Sequence, residues 1–388
     1  MNYYILPKNK LNINIFLLLN PEQAKPFISY SLIYYLNNIH ENLLKLEAQN
    51  KLKNSNSITI EYINKMVNPF EFIHTNVPGT LLSVSKVKPD SSLFFDLMEI
   101  LQVCNIMDFL SFKNKINVGN FTHNYASSNY LLNMFREENE DHIVNENYDF
   151  DRLIEKYIKH NNADAIEKKD LLLFEFKEEE YDNASQYIKN IILSFYIVAK
   201  YQTNNGICVI KINNIFYKAI IDVILSLTCL FDKVYLIKPT ISNVTKGERY
   251  IVCKHFDLEL STTMKILEQL DEKIKPYLTN ENINENALSI HSFLLNDIPY
   301  YFLNKIEESN AVIGQQQLES YDQIINIFKN KNKEEKVESL KRNHIQKCIQ
   351  WCEKNDIPHN KFTDKINIFL NAKRKECEDV NSCINSFI

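Results

Sequence analysis

Glycine is scarce in this sequence: five residues in 388, at Gly79, Gly119, Gly206, Gly247 and Gly314. Their scatter excludes any loop in which several backbone amides converge unobstructed, so neither a P-loop nor a G-x-G-x-x-G turn is present. Tryptophan occurs once, at Trp351, and arginine only at Arg136, Arg152, Arg249, Arg342 and Arg374. With 44 Lys plus Arg against 49 Asp plus Glu the net charge is −5, so a grip on nucleic acid cannot come from the overall field and needs a local patch. No apolar run reaches the roughly 18 residues of a membrane span, and no membrane partner is expected. Lys8 and Lys10 precede a short apolar run, residues 13–19, but no small-residue cleavage site follows, so this is not read as a secretory leader.

What is present describes a folded, soluble chain. Hydrophobic residues make up 45% and charged residues 24%, close to globular averages, and the excess of Asn, Ile, Lys, Tyr and Phe is what AT-rich coding produces. The eight cysteines lack close pairing, and several fall in apolar segments, which indicates a reducing, intracellular compartment. His344, Cys348 and Cys352 recur at i, i+4 and i+8 on one helical stripe. Without a fourth ligand at knuckle spacing they read as core residues, and no metal is expected.

Three regions follow from the patterning. Residues 1–57 form an amino-terminal helical segment, with an amphipathic helix over 21–53 and a polar linker over 50–57. Residues 58–258 hold the α/β part. There β-rich runs at 170–176, 206–212 and 233–239 alternate with helix-length runs at 184–201 and 216–231, which predicts a parallel sheet with right-handed crossovers. A further strand, 249–256, follows a loop too short for a crossover helix and must run antiparallel. Residues 259–388 show only helical periods, at 264–274, 286–295, 315–328, 337–352 and 364–374, and form a helical extension.

The stretch 206–256 carries a more specific signal. A strand ends in Lys211; another closes on Lys238-Pro239; then Gly247-Glu248-Arg249-Tyr250-Ile-Val-Cys opens the last strand. This order resembles the carboxy-terminal core of the FtsJ-like RNA ribose 2′-O-methyltransferases, in particular the cap methyltransferases of eukaryotes and of large cytoplasmic DNA viruses. Residues 83–89, Ser-Val-Ser-Lys-Val-Lys-Pro, resemble the segment that supplies the family's first catalytic lysine. The resemblance implies a Rossmann-like class I methyltransferase sheet with an antiparallel last strand. It also implies a Lys-Asp-Lys-Glu tetrad in which Lys86, Lys211 and Glu248 take three corners and Glu175 is the nearest carboxylate for the fourth.

The chemistry of such a tetrad is general. A ribose hydroxyl is a poor nucleophile at neutral pH, so it needs a base of suitable proton affinity; a lysine serves if burial and a second cation lower its pKa. Carboxylates then hold the ammonium groups in position. The family's donor loop for S-adenosylmethionine, an acidic residue followed by Pro-Gly-Gly-Phe, has no counterpart here: between 86 and 170 only Gly119 occurs. The resemblance therefore implies a homologue with an eroded donor pocket that holds no cofactor, acting as a non-catalytic or stimulatory subunit that binds capped RNA or proteins of the capping and transcription machinery. The alternatives are an active S-adenosylmethionine-dependent cap 2′-O-methyltransferase and a virion structural protein that reuses the fold. A viral source would place the chain in the host cytoplasm or the virion.

Overall fold

The computed structural model describes residues 2–51, 59–136, 140–159, 167–257, 261–279, 288–330 and 333–362. Among the described residues, nine strands form two sheets: β1 (Asn2–Leu6), β2 (Ile15–Asn20), β3 (Asn117–Thr122), β4 (His142–Asn145), β5 (Lys169–Glu175), β6 (Gln202–Ile212), β7 (Phe231–Lys238), β8 (Arg249–Phe256) and β9 (Ser289–Leu294). The central sheet has seven strands in the order β1-β7-β8-β6-β5-β3-β4, and β2 pairs with β9 separately. Pairing is parallel from β4 through β3 and β5 to β6, while β8 is antiparallel to both β6 and β7. This is the Rossmann-like α/β sheet with a reversed last strand that the sequence predicts. The helices Ala184–Tyr201 and Lys218–Leu230 make the crossovers.

The strands are apolar on both sides because both faces are covered. On one face Leu172, Phe174, Cys208, Ile210, Ile251 and Cys253 pack with the two crossover helices. On the other, Leu171, Leu173, Val209 and Val252 pack with Phe94, Phe95 and Trp351 from the helices Leu93–Val103 and Lys333–Lys354. Helix 218–230 is buried on nearly every side, since the β2–β9 ribbon covers its outer face. The fastening is Asp222: its carboxylate accepts from Lys218 Nζ (2.9 and 3.0 Å), Ser292 Oγ (2.9 Å) and the amides of Phe293 (2.9 Å) and Leu294 (3.1 Å).

Two expectations are corrected. The amino-terminal segment holds its helix, Tyr30–Lys51, but strands precede it, and β1 extends the central sheet by pairing antiparallel with β7. Residues 286–295, expected as helix, contain β9. In both places a short apolar run fits either period, and a partner strand distant in sequence decided between them. The helical periods at 264–274 and 315–328 are found in helix Ser261–Gln269 with its π-helical continuation Leu270–Ile274 and in helix Tyr300–Lys329. The expected helix 364–374 and most of the linker 50–57 lie outside the described residues.

Cys348 and Cys352 are buried, with thiols pushed up by loss of hydration, Cys352 to about 12, and burial pushes His344 down to about 4. Among the described residues no group of three or more His, Cys, Asp or Glu side chains is arranged to hold a metal ion, and no helix is long and apolar enough to cross a membrane.

Candidate functional site

Sheet register assembles the site. In the parallel β5–β6 pair Phe174 is opposite Ile210, so the next residues, Glu175 and Lys211, emerge together at the carboxyl ends. In the antiparallel β6–β8 pair Ile212 is opposite Arg249, so β8 starts at that same edge and Glu248 arrives there from the connecting loop. Lys211 Nζ lies 2.9 Å from Glu175 Oε1 and 3.6 Å from Glu248 Oε2, and Lys246 Nζ lies 3.6 Å from Glu248 Oε1 and pairs with Glu178. Three of the four residues singled out in the sequence thus converge.

Lys86 does not join them. It is exposed, its amide donates to Pro358 O (2.8 Å), and Ser85 bridges to His359. Its neighbours Ser83, Val84, Ser85 and Val87 are buried while Lys86 faces solvent, and it does not line the cleft that holds Lys211.

The converging groups line a cleft of ≈330 Å³ together with Asn68, Glu71, His74, Ser92, Asp96, His123 and Ser242. Asp96, which sequence reasoning missed, is buried and accepts from Tyr250 Oη (2.8 Å) and Ser242 Oγ (2.9 Å). Burial pushes its carboxyl up to about 6 against the pull of Lys211. Its signal was available: a carboxylate inside the apolar helical stretch 93–101 needs a polar reason to be there. Glu99, one turn on, accepts from Thr240 N and Oγ1 and so fixes the start of the β7–β8 connection. Lys238 fixes the rest: its ammonium donates to the carbonyls of Asn243 (3.0 Å), Lys246 (2.8 Å) and Glu248 (3.1 Å), and burial lowers its pKa to about 8.

The charge state of Lys211 follows from its neighbours. Burial disfavours the ammonium, but Glu248 and Glu175 outweigh it and hold the pKa well above the ordinary lysine value. Burial would raise Glu248, but Lys211, Lys246 and Lys238 outweigh it and hold its pKa below the ordinary glutamate value. The two carboxylates thus favour the ammonium form of Lys211.

A methyl donor such as S-adenosylmethionine would be seated by the turn after β3. That turn, His123 and Asn124 before helix Tyr125–Arg136, contains no glycine and no left-handed residue. Asn120 beneath it is fully engaged: Nδ2 donates to Asn129 Oδ1 (3.1 Å) and Asn145 Oδ1 (2.9 Å), and Oδ1 accepts from Thr122 Oγ1 (3.0 Å) and Ser128 Oγ (3.1 Å). Phe121 stacks on Phe174 at 5.1 Å. Gly119 lies inside β3, where an added Cβ would stand 2.7 Å from Leu172 Cδ2, so its lack of a side chain serves sheet packing. These residues do not fit a glycine-lined cradle for the donor. One residue does suit an adenosyl ribose: Glu146, just past β4, is buried, pairs through Oε1 with Lys156 and Tyr157, and leaves Oε2 without a partner among the described residues.

A second hollow of ≈270 Å³ shares Glu178, Tyr181, Lys246 and Glu248 with the cleft and is lined further by Asn213, Phe216, Asn310, Gln317 and Tyr321.

No family profile matches the chain. The cap-specific mRNA (nucleoside-2′-O-)-methyltransferase 2 of Pongo abelii is 26% identical over 170 residues, 42% of this chain and 20% of that protein, so the chain spans a fifth of the relative's length. Among solved structures, a ribosomal RNA methyltransferase of Plasmodium falciparum superposes with a TM-score of 0.32 at 12% identity over 43% of this chain and 97% of that one.

Proposed function

We propose that this chain is a homologue of the FtsJ-like cap ribose 2′-O-methyltransferases that has lost methyl transfer and works as a non-catalytic or stimulatory subunit, holding capped RNA for an mRNA-capping assembly. The similarity to the cap-specific methyltransferase of Pongo abelii supports the RNA-directed half of this reading. The charge state of Lys211 carries the other half. A lysine that must accept the proton of a ribose hydroxyl needs its pKa brought toward neutrality by burial and a second cation. Lys211 has the two carboxylates, which favour its charged form, but Lys86, the second cation that the resemblance implies, does not line the cleft to oppose them. A charged Lys211 donates a hydrogen bond to a ribose oxygen and holds it; it does not deprotonate it. The glycine-free turn after β3 agrees with this loss. The aromatic and amide lining of the second hollow, with Phe216, Tyr321, Asn213, Asn310 and Gln317, suits a nucleobase read by stacking and edge contacts.

The test has two arms. Calorimetry with S-adenosylmethionine should show no binding, and capped RNA should bind without becoming methylated. Ligand binding at 100-fold excess over the dissociation constant, with about 2.7 kcal/mol of added stability, would contradict the loss of the donor site. The active-enzyme reading is favoured by Glu146 Oε2, which has no partner among the described residues. It requires methyl transfer to capped RNA that Lys211→Ala abolishes. The subunit role requires co-purification with a capping enzyme, methyltransferase or polymerase from the native source; recovery as a lone monomer would count against it.

A further inference from the structure

A third hollow, of ≈390 Å³, opens between helix 333–354, helix 93–103 and the start of the β7–β8 connection. No function above uses it. Its lining includes the aromatic side chains of Phe70 and Trp351 and the amides of Gln102, Gln350 and Asn355. Lys347, Gln350, Trp351 and Lys354 follow one another at helical spacing, so they share one stripe in which the two exposed lysines straddle the indole, about 10.5 Å apart along the axis. Neither lysine has a carboxylate partner among the described residues. The one carboxylate in the lining, Glu99, is spent on Thr240 and the amide of Ile241. Trp351 is 6% exposed, yet its Nε1–H has no acceptor among the described residues.

Aromatic lining, side-chain amides, a buried N–H without an acceptor and two cations without a carboxylate partner among the described residues together suit a nucleotide: a base against the aromatic lining, edges to meet the amides, and phosphates to meet the ammonium groups. The hollow also abuts the cleft. Phe70 lies between Asn68 and Glu71, which line the cleft, and Thr240 precedes Ile241 and Ser242, which line it too.

We infer that this hollow is a subsite for single-stranded RNA, taking one base and its flanking phosphates from a strand whose ribose lies at Lys211. The choice of RNA as the polymer rests on the function proposed above; the anionic, ring-bearing class of ligand rests on the hollow alone.

The chain's only tryptophan lies in the subsite, so intrinsic emission reports its occupancy. The full chain is titrated with a dye-labelled, uncapped adenylate decamer, following anisotropy and tryptophan emission together. Both should saturate at the same RNA concentration. The exposed double variant Lys347→Glu/Lys354→Glu should weaken binding at least tenfold and flatten the log–log salt dependence by about 1.4, two single-strand phosphate contacts at roughly 0.7 each. RNA binding by anisotropy with unchanged emission overturns the subsite, as does a double variant that binds like the parent. Failure of the uncapped decamer to bind while capped RNA binds overturns the subsite and leaves the proposed function standing; failure of both overturns both.

Discussion

Asp96 offers the sharpest test of the site's electrostatics. It is buried, its two oxygens face the hydroxyls of Ser242 and Tyr250, and burial raises its pKa from 3.8 to about 6. Between these values the folded chain binds more protons than the unfolded one, so this group's contribution to stability falls as pH rises from 3.8 through 6 and stays at its minimum above that. At 1.36 kcal/mol per pH unit, a rise from 3.8 to about 6 means that the ionised carboxylate costs about 3 kcal/mol at neutral pH. Asp96→Asn keeps the shape and can still bond both hydroxyls, one as acceptor and one as donor. The variant should therefore exceed the parent by up to about 3 kcal/mol above pH 6.5 and lose that advantage toward pH 4. Urea unfolding followed by Trp351 emission at a series of pH values measures this. The difference between the two curves isolates Asp96, because other carboxylates such as Glu248 titrate in both proteins. A difference that stays flat from pH 4 to 7.5, or a variant less stable at pH 7, would refute the assignment of a desolvated carboxylate.

Other outcomes follow from the same geometry. Lys211→Met leaves Glu175 and Glu248 facing each other without their cation and should cost about 3–5 kcal/mol, read in the same denaturation assay. Lys238→Met strands three carbonyls of the β7–β8 connection, so amide exchange over 240–248 should accelerate and stability should drop by about 2–4 kcal/mol. In the parent, Lys238 with its pKa lowered to about 8 makes stability rise between pH 8 and 10.5, because there the unfolded chain binds more protons; the variant should lack that rise. Gly119→Ala forces a methyl group to within 2.7 Å of Leu172 and should lower the melting temperature, at about 1–3 kcal/mol, without altering the cleft.

Much of the central sheet was readable because its strands are local signals. The runs at 170–176, 206–212, 233–239 and 249–256 are apolar and β-branched, bounded by turns, and a short loop before 249 permits only a reversed strand. The helices between them declare themselves by length. Glu175, Lys211 and Glu248 could be named because each stands where such a strand meets the sheet edge. Asp96, Lys238 and Glu146 could not be given roles, since what each does depends on hydroxyls, carbonyls and a neighbouring lysine supplied from elsewhere in the chain.

Composition and order thus determined the α/β class, the reversed strand, the lack of a glycine-lined donor turn and the candidates at the strand ends, because each of these depends on neighbours within a few residues. Tertiary structure decided that residues 2–6 and 289–294 are strands, that Lys86 stays outside the cleft, and that Lys211 sits between two carboxylates. Those outcomes depend on which distant groups arrive within 4 Å, a quantity no local pattern encodes. A lysine's proton affinity is set by the charges around it, and only folding brings those charges together.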